Sequence, residues 1–278
     1  MPSTIGMSHN GDSREAAVTE AMIQQSLGRL FSRAGYETVY GGKVHLPRKM
    51  KGIENLGYRN LTGDSRRGLA EACAEFIKGK HTRPFLLFAS FINPHDICYM
   101  AINDFSRTQG EPVRSNTDSK TCEGVLDRAR KSGDVAAFVQ KNCPPLPANH
   151  NVPASEPECV TQKYTEARAF RAYVRKNWSE DQWRLHRWLY CRLTEMVDAE
   201  IGIVLDALRD AGLDDNTLVV FTSDHGDMDS AHKLEHKSVL YEEAMRVPLL
   251  MSYKGAVSYT HLRAHETSLH LVCRLLLE

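Results

Sequence analysis

Asp224, His225 and Asp227 bring two carboxylates and an imidazole together around Gly226, whose backbone takes conformations closed to other residues. An adjacent Asp and His offer a divalent cation one hard oxygen and one imidazole nitrogen. Lys237, a short loop later, supplies a positive charge suited to an anionic substrate. Two other places carry similar chemistry. Lys43 and His45 flank Val44, so in an extended segment both face one side, and His95 follows Pro94 directly after an apolar run. Alone, a K-x-H is more often structural than functional, and a P-H pair is as often only a turn feature; it is their order along one chain that gives them weight.

Each group needs an element to hold it. Leu218 to Phe221 is a short apolar run rich in β-branched and aromatic residues, read as a strand buried on both faces of a mostly parallel sheet. Asp224 and His225 then leave its carboxyl edge, where open α/β sheets place their ligands. Glu37 to Tyr40 reads as a strand delivering Lys43 and His45, and Phe85 to Ile92 as a buried strand delivering Asn93 to Asp96. Helical spacing runs from Thr19 to Ala34 with Gly35 as the stop, and from Arg66 to Lys78 with Leu69, Ala70, Cys73, Phe76 and Ile77 on one side. Ser179, with Gln182 three residues on, starts an apolar stripe that reaches Gly212. A helix of that length extends roughly 45 Å, enough to cross a sheet. Residues 97–177 show few clear periods and are too long for a plain connection, so they read as an insertion near the substrate mouth with some helix of its own.

Composition narrows the classes. The 278 residues are 42% hydrophobic, Lys+Arg and Asp+Glu both total 35, and no apolar run is long enough to span a bilayer. The zero formal charge and the lack of a basic block argue against a nucleic-acid partner. Seven cysteines occur without a C-x-x-C pair, so a zinc ribbon is not expected. Cys98, Cys122, Cys143 and Cys159 fall in one region, where an oxidising compartment would allow pairing and a reducing one free thiols. The opening residues show neither the basic start nor the apolar core of a signal peptide.

The stretch from Thr217 to Tyr253 resembles the sulfatase branch of the alkaline-phosphatase superfamily. Asp224, His225, His232, Lys237, Tyr241, Glu242, Arg246 and Pro248 match its S-D-H-G, D-H-G-x-x-x-K, Y-E and R-V-P motifs in spacing. Lys43 and His45 lie in a counterpart of G-K-W-H-L-G, with Val44 for Trp and Pro47 for Gly. Val197, Asp198, Ile201, Gly202, Val204, Leu205, Asp206 and Leu208 match a long family helix, and Pro94-His95 matches a strand-end P-H.

The resemblance covers Met1 to about Gly255, and it implies an α/β fold: a mostly parallel central sheet between helix layers, alkaline-phosphatase-like and truncated at both ends. Residues 1–256 are then part of a sulfatase catalytic domain, with 97–177 the insertion. Asp224 and His225 would be ligands for Ca²⁺ or another divalent cation. Lys43, His45, His95 and Lys237 would be catalytic, and His232 and Arg246 substrate-binding. The substrate would be a small-molecule or glycan sulfate ester, with no nucleic acid and no membrane span involved. The nucleophile motif C-x-P-S-R or S-x-P-S-R, whose first residue matures to formylglycine, does not occur in these residues, nor does the family's early Asp-Asp pair. Both are expected upstream, as is any signal peptide, and the resemblance implies a periplasmic, secreted or lysosomal compartment. Many sulfatases carry Asn at the His225 position, so a phosphodiester or phosphonate monoester hydrolase of the same superfamily stays open, as does an inactive fragment. His261, His265 and His270 in the closing 257–278 invite a metal reading, but that stretch resembles a tail recurring on unrelated truncated gene predictions and is expected to be foreign.

Overall fold

The computed structural model describes residues 17–47, 50–165 and 168–254. The chain divides into two compact units, residues 1–93 with 196–213 and residues 94–195 with 214–278. The opening loop expected over Met1 to Arg14 and the tail 257–278 lie outside the described residues.

The first unit begins with α1 (Glu20–Gln24) and α2 (Leu27–Arg33), two helices where the periodicity predicts one. The break falls at Ser26, whose extended backbone frees its hydroxyl to donate to the Leu56 carbonyl at 2.9 Å. Gly28 lies so close to that segment that a Cβ would sit 2.4 Å from Leu56 O. Leu27 and Leu30 consequently face solvent. The sheet follows as β1 (Glu37–Gly42), β2 (Arg59–Asn60), α3 (Arg67–Lys78) and β3 (Phe85–Ser90). Its strand order is β2-β1-β3, all parallel, with Glu37 opposite Phe85 and Gly42 opposite Ser90. Leu69, Ala70, Cys73 and Ile77 of α3 are buried, as their spacing requires, whereas β3, expected to be buried, is only half-buried and leaves Phe88 exposed.

Two glycines end β1 for different reasons. A Cβ on Gly41 would meet Leu69 Cδ1 at 2.6 Å, and Gly42 has φ +98° with Ser90 O 2.1 Å from a Cβ there. Only glycine satisfies both the close approach and the left-handed turn. The consequence is that Lys43 N donates to Ser90 O at 2.8 Å and Tyr40 Oη to Lys43 O at 2.7 Å, fixing the backbone of the K-x-H segment as it leaves the sheet.

The second unit is mostly helical. Residues 97–177, with few legible periods, form α4 (Cys98–Thr108), α5 (Thr117–Arg130), α6 (Val135–Asn142), a π-helical turn at Val160–Thr165, and α7 (Ala169–Asn177). Their apolar stripes are narrow: α5 buries Cys122, Val125, Leu126 and Ala129 in an otherwise polar sequence. Caps do the rest, with Asn116 accepting from Ser119 N at 3.0 Å and Asp134 from Ala137 N at 3.0 Å. Next comes α8 (Glu180–Asp210), 31 residues long, whose stretch from Met196 belongs to the first unit. The expected capping box is present: Ser179 N donates to Gln182 Oε1 at 3.0 Å and Gln182 N to Ser179 Oγ at 3.3 Å.

After α8 the chain forms β4 (Val219–Thr222), α9 (Glu242–Met245) and β5 (Leu249–Ser252). β4 corrects the sequence reading. It pairs antiparallel with β5, Val219 opposite Ser252 and Thr222 opposite Leu249, and it is not buried: Leu218 is 56% and Val220 48% exposed. A run of β-branched residues encodes an extended backbone, but what covers it depends on neighbours brought by other segments. The described cysteines, Cys73, Cys98, Cys122, Cys143, Cys159 and Cys191, are free thiols. Among the described residues no helix is long and apolar enough to cross a membrane.

Candidate functional site

The loop from β4 to α9 is folded back on itself. Gly226 N donates to Ala244 O at 2.9 Å, Met228 N to His236 O at 3.1 Å, and Ser230 N to Leu234 O at 3.2 Å. Gly226 is obligatory here, because a Cβ would lie 2.0 Å from Glu243 O and 2.6 Å from Arg246 O. Five non-glycine residues, Asp229, Ser230, His232, Lys233 and Ser238, have φ between +40° and +80°. Each such residue costs on the order of 1 kcal/mol or more and persists only where its surroundings over-determine it. The restraints are identifiable. Met228, Ala231, Leu234, Val239 and Ala244 form a buried apolar cluster with Val160. Arg187 Nε holds Asp229 Oδ2 at 3.0 Å, His150 Nδ1 meets Ser230 O at 2.7 Å, and Arg175, paired with Glu156, donates to His232 O at 3.1 Å.

This framework sets the side chains. Asp224 is largely exposed, and its Oδ1 lies 3.5 Å from His225 Nε2. His225 Nδ1 is 2.6 Å from Gly226 O. A carbonyl only accepts, so Nδ1 carries a proton, and in the neutral ring that leaves Nε2, on the Asp224 side, as the nitrogen able to bind a cation. An oxygen and an unprotonated imidazole nitrogen on one edge, the ring fixed by a backbone carbonyl, fit a divalent cation. Deeper in, Asp227 accepts from Asp229 N at 3.0 Å. Burial, reinforced by Glu235 and Asp229 and opposed by Lys237, pushes its carboxyl up to about 7. Burial likewise holds the His236 imidazole well below its ordinary value, with Lys237, Arg171, His95 and His225 adding repulsion. His95, His225 and Lys237, picked from separate motifs, therefore act electrostatically on one ring.

The other named residues sit as follows. His232 packs its ring against Tyr241 with centroids 4.4 Å apart, and Arg246 Nε pairs with Glu242 Oε2 at 2.8 Å on the surface. Lys43, half-buried, and His45, exposed, belong to the first unit. Sequence reasoning passed over His236, Glu235, Arg171 and Asp118. His236 adjoins Lys237 and was within reach of the motif; Arg171 and Asp118 lie on helices with no motif to flag them.

Beneath the loop, His186 of α8 is wholly buried, ring to ring with Trp178 and Trp183. Burial drives its imidazole down to about 4, opposed in part by a backbone hydrogen bond with Glu235. This value lies below the ordinary 6.5, so folding favours the neutral ring: the stability it guards is intact above pH 6.5 and is lost as pH falls toward 4. The full loss is ~3 kcal/mol. Urea unfolding at pH 7 and pH 4.5 checks it, with His186→Leu expected to flatten the difference.

The sulfatase family model matches residues 3–271, and the chain belongs to that family. A Delta 4,5-hexuronate-2-O-sulfatase of Bacteroides thetaiotaomicron is 26% identical over 248 residues, covering 83% of this chain and 45% of the relative. Among solved structures, a Bacteroides thetaiotaomicron protein assigned as a sulfatase superposes with a TM-score of 0.66 at 24% identity, covering 92% of this chain and 52% of that one. A 2-O GAG sulfatase superposes at 0.62 and 22% identity, with 92% and 51% covered. These likenesses establish the alkaline-phosphatase-like α/β fold. The chain spans about half the length of these relatives.

Proposed function

We propose that the protein to which these residues belong hydrolyses sulfate esters, of glycans or of small molecules. The observation that carries this reading is the loop after β4. There Asp224 and His225 present one oxygen and one nitrogen at its mouth, and Lys237 acts on the buried groups behind them. In this reading Lys237 and His95 meet the sulfate oxygens, and His232 and Arg246 flank the substrate. The roles of Lys43 and His45, charge neutralisation and proton donation to the leaving alcohol, rest on the resemblance alone. Asp224 and His225 would hold the divalent cation, for which Ca²⁺ is proposed; bound there, it supplies Lewis-acid stabilisation of negative charge, while formylglycine supplies the nucleophile. The sulfated-hexuronate and GAG substrates named for the relatives favour an acidic, sulfated sugar.

For the polypeptide as written we propose no turnover. The 278 residues hold neither C-x-P-S-R nor S-x-P-S-R, and Asp224 with His225 is a small part of the six to eight contacts that Ca²⁺ takes. The purified chain is expected neither to release sulfate from 4-nitrophenyl sulfate nor to gain thermal stability from millimolar Ca²⁺. A version extended with an upstream family segment and matured nucleophile is expected to recover both. Metal-dependent sulfate release by the present chain would require another nucleophile and defeat this part of the proposal; an extended, matured chain that stays inert on sulfate esters would defeat the sulfatase reading.

A further inference from the structure

His95 is grouped with two carboxylates. Asp96, the next residue in the turn after Pro94, is wholly buried, and Asp118 approaches from the first turn of α5, its Oδ2 3.9 Å from His95 Nδ1. One ligand atom from each of the three residues lies within 4.8 Å of the others. Two carboxylates that close, one of them out of water, are not both ionised unless positive charge sits with them.

The arrangement is rigid. α5 packs on the His95 turn, and Asn103 of α4 donates to Ser119 Oγ and Glu123 Oε1, both at 2.8 Å. Asn116, the α5 cap, also donates to Tyr99 Oη at 2.6 Å. Around this group stand Glu235, His236 and Lys237 from the loop after β4, Arg171 from α7, whose Nε is 3.4 Å from Glu235 Oε1, and the thiols of Cys98 and Cys122. Burial pushes the Cys98 thiol up to about 12 and Cys122 higher still, so neither adds negative charge near neutrality.

We infer that Asp96 and Asp118 act through the His95 imidazole, holding it in its cationic form, so that the helical segment 97–177 arms a histidine facing the anion. The purpose given to that cation rests on the sulfate-ester reading; the geometry does not.

The test is a histidine-ring NMR titration of the purified 278-residue chain. His95 is expected to titrate above the ordinary 6.5, Asp118→Asn to lower that midpoint by about a unit, tenfold in the protonation equilibrium, and Asp118→Glu to restore most of it. A merely structural Asp118 would lower the melting temperature and leave the midpoint where it was, which overturns the inference. So does a wild-type midpoint at or below 6.5, a measurement that holds even if a variant fails to fold. A midpoint that moves on chelator treatment would show a bound cation in the proton's place and overturn it equally. No step of the titration needs sulfate hydrolysis, so its failure leaves the sulfatase reading standing, and failure of the extended chain to turn over sulfate esters leaves the His95 midpoint unchanged.

Discussion

Lys237→Ala, made in a chain extended to carry the matured nucleophile, should lower turnover of 4-nitrophenyl sulfate by about two to three orders of magnitude while leaving the unfolding midpoint nearly unchanged. The magnitude is that of one charge-assisted contact removed from a developing anion in a water-poor site, about 3–4 kcal/mol. Lys237 acts electrostatically on Asp227, His236 and Cys98, so its charge is felt throughout the interior of the loop. The fold there is carried by other groups, namely the Met228, Leu234 and Val239 cluster and the Arg187–Asp229 pair. Loss divided between kcat and KM is informative: a drop confined to kcat assigns the lysine to charge that appears in the transition state, and a rise confined to KM to ground-state binding. Wild-type kcat/KM in the variant would remove Lys237 from the anion site.

Gly226→Ala should be the most damaging conservative change in the same loop, at about 3 kcal/mol or more. The added methyl would sit 2.0 Å from Glu243 O and 2.6 Å from Arg246 O. Both obstacles are backbone, so no rotamer change relieves them, and moving α9 away breaks the 2.9 Å bond from Gly226 N to Ala244 O. His225 would lose its anchor as well, because its Nδ1 is fixed by the Gly226 carbonyl. Urea denaturation of the 278-residue chain measures the cost. Gly124→Ala, in α5 where nothing lies within 4 Å of the added methyl, is the control, expected to stabilise by up to ~1 kcal/mol. Equal midpoints for the two variants would show that α9 is not seated against Gly226.

The sequence by itself determined the elements whose information is local. α3 and α8 were legible because their apolar positions repeat over several turns, and the Ser179–Gln182 box marked the start of α8 to the residue. β1 was legible as a short strand and β3 as an apolar run, and Gly41-Gly42 marked the end of β1 because such a pair suits a chain leaving a sheet. Asp224, His225 and Lys237 stood out because their spacing is carried on one loop, which keeps their order visible.

Tertiary structure alone decided what rests on distant partners. The split of the first helix came from Leu56 accepting the Ser26 hydroxyl, thirty residues away in sequence. The helices of 97–177 were hidden because each buries a narrow stripe and relies on caps and cross-helix bonds such as Asn103 to Ser119. The exposure of β4 reflects which strand pairs with it, a property its own residues do not encode. Asp118 joins His95 across a helix-long separation, and burial then sets the charge of Asp227, His186 and His236. Residue type fixes which groups can ionise; how far each is removed from water, and by which neighbours, is fixed only when the chain folds.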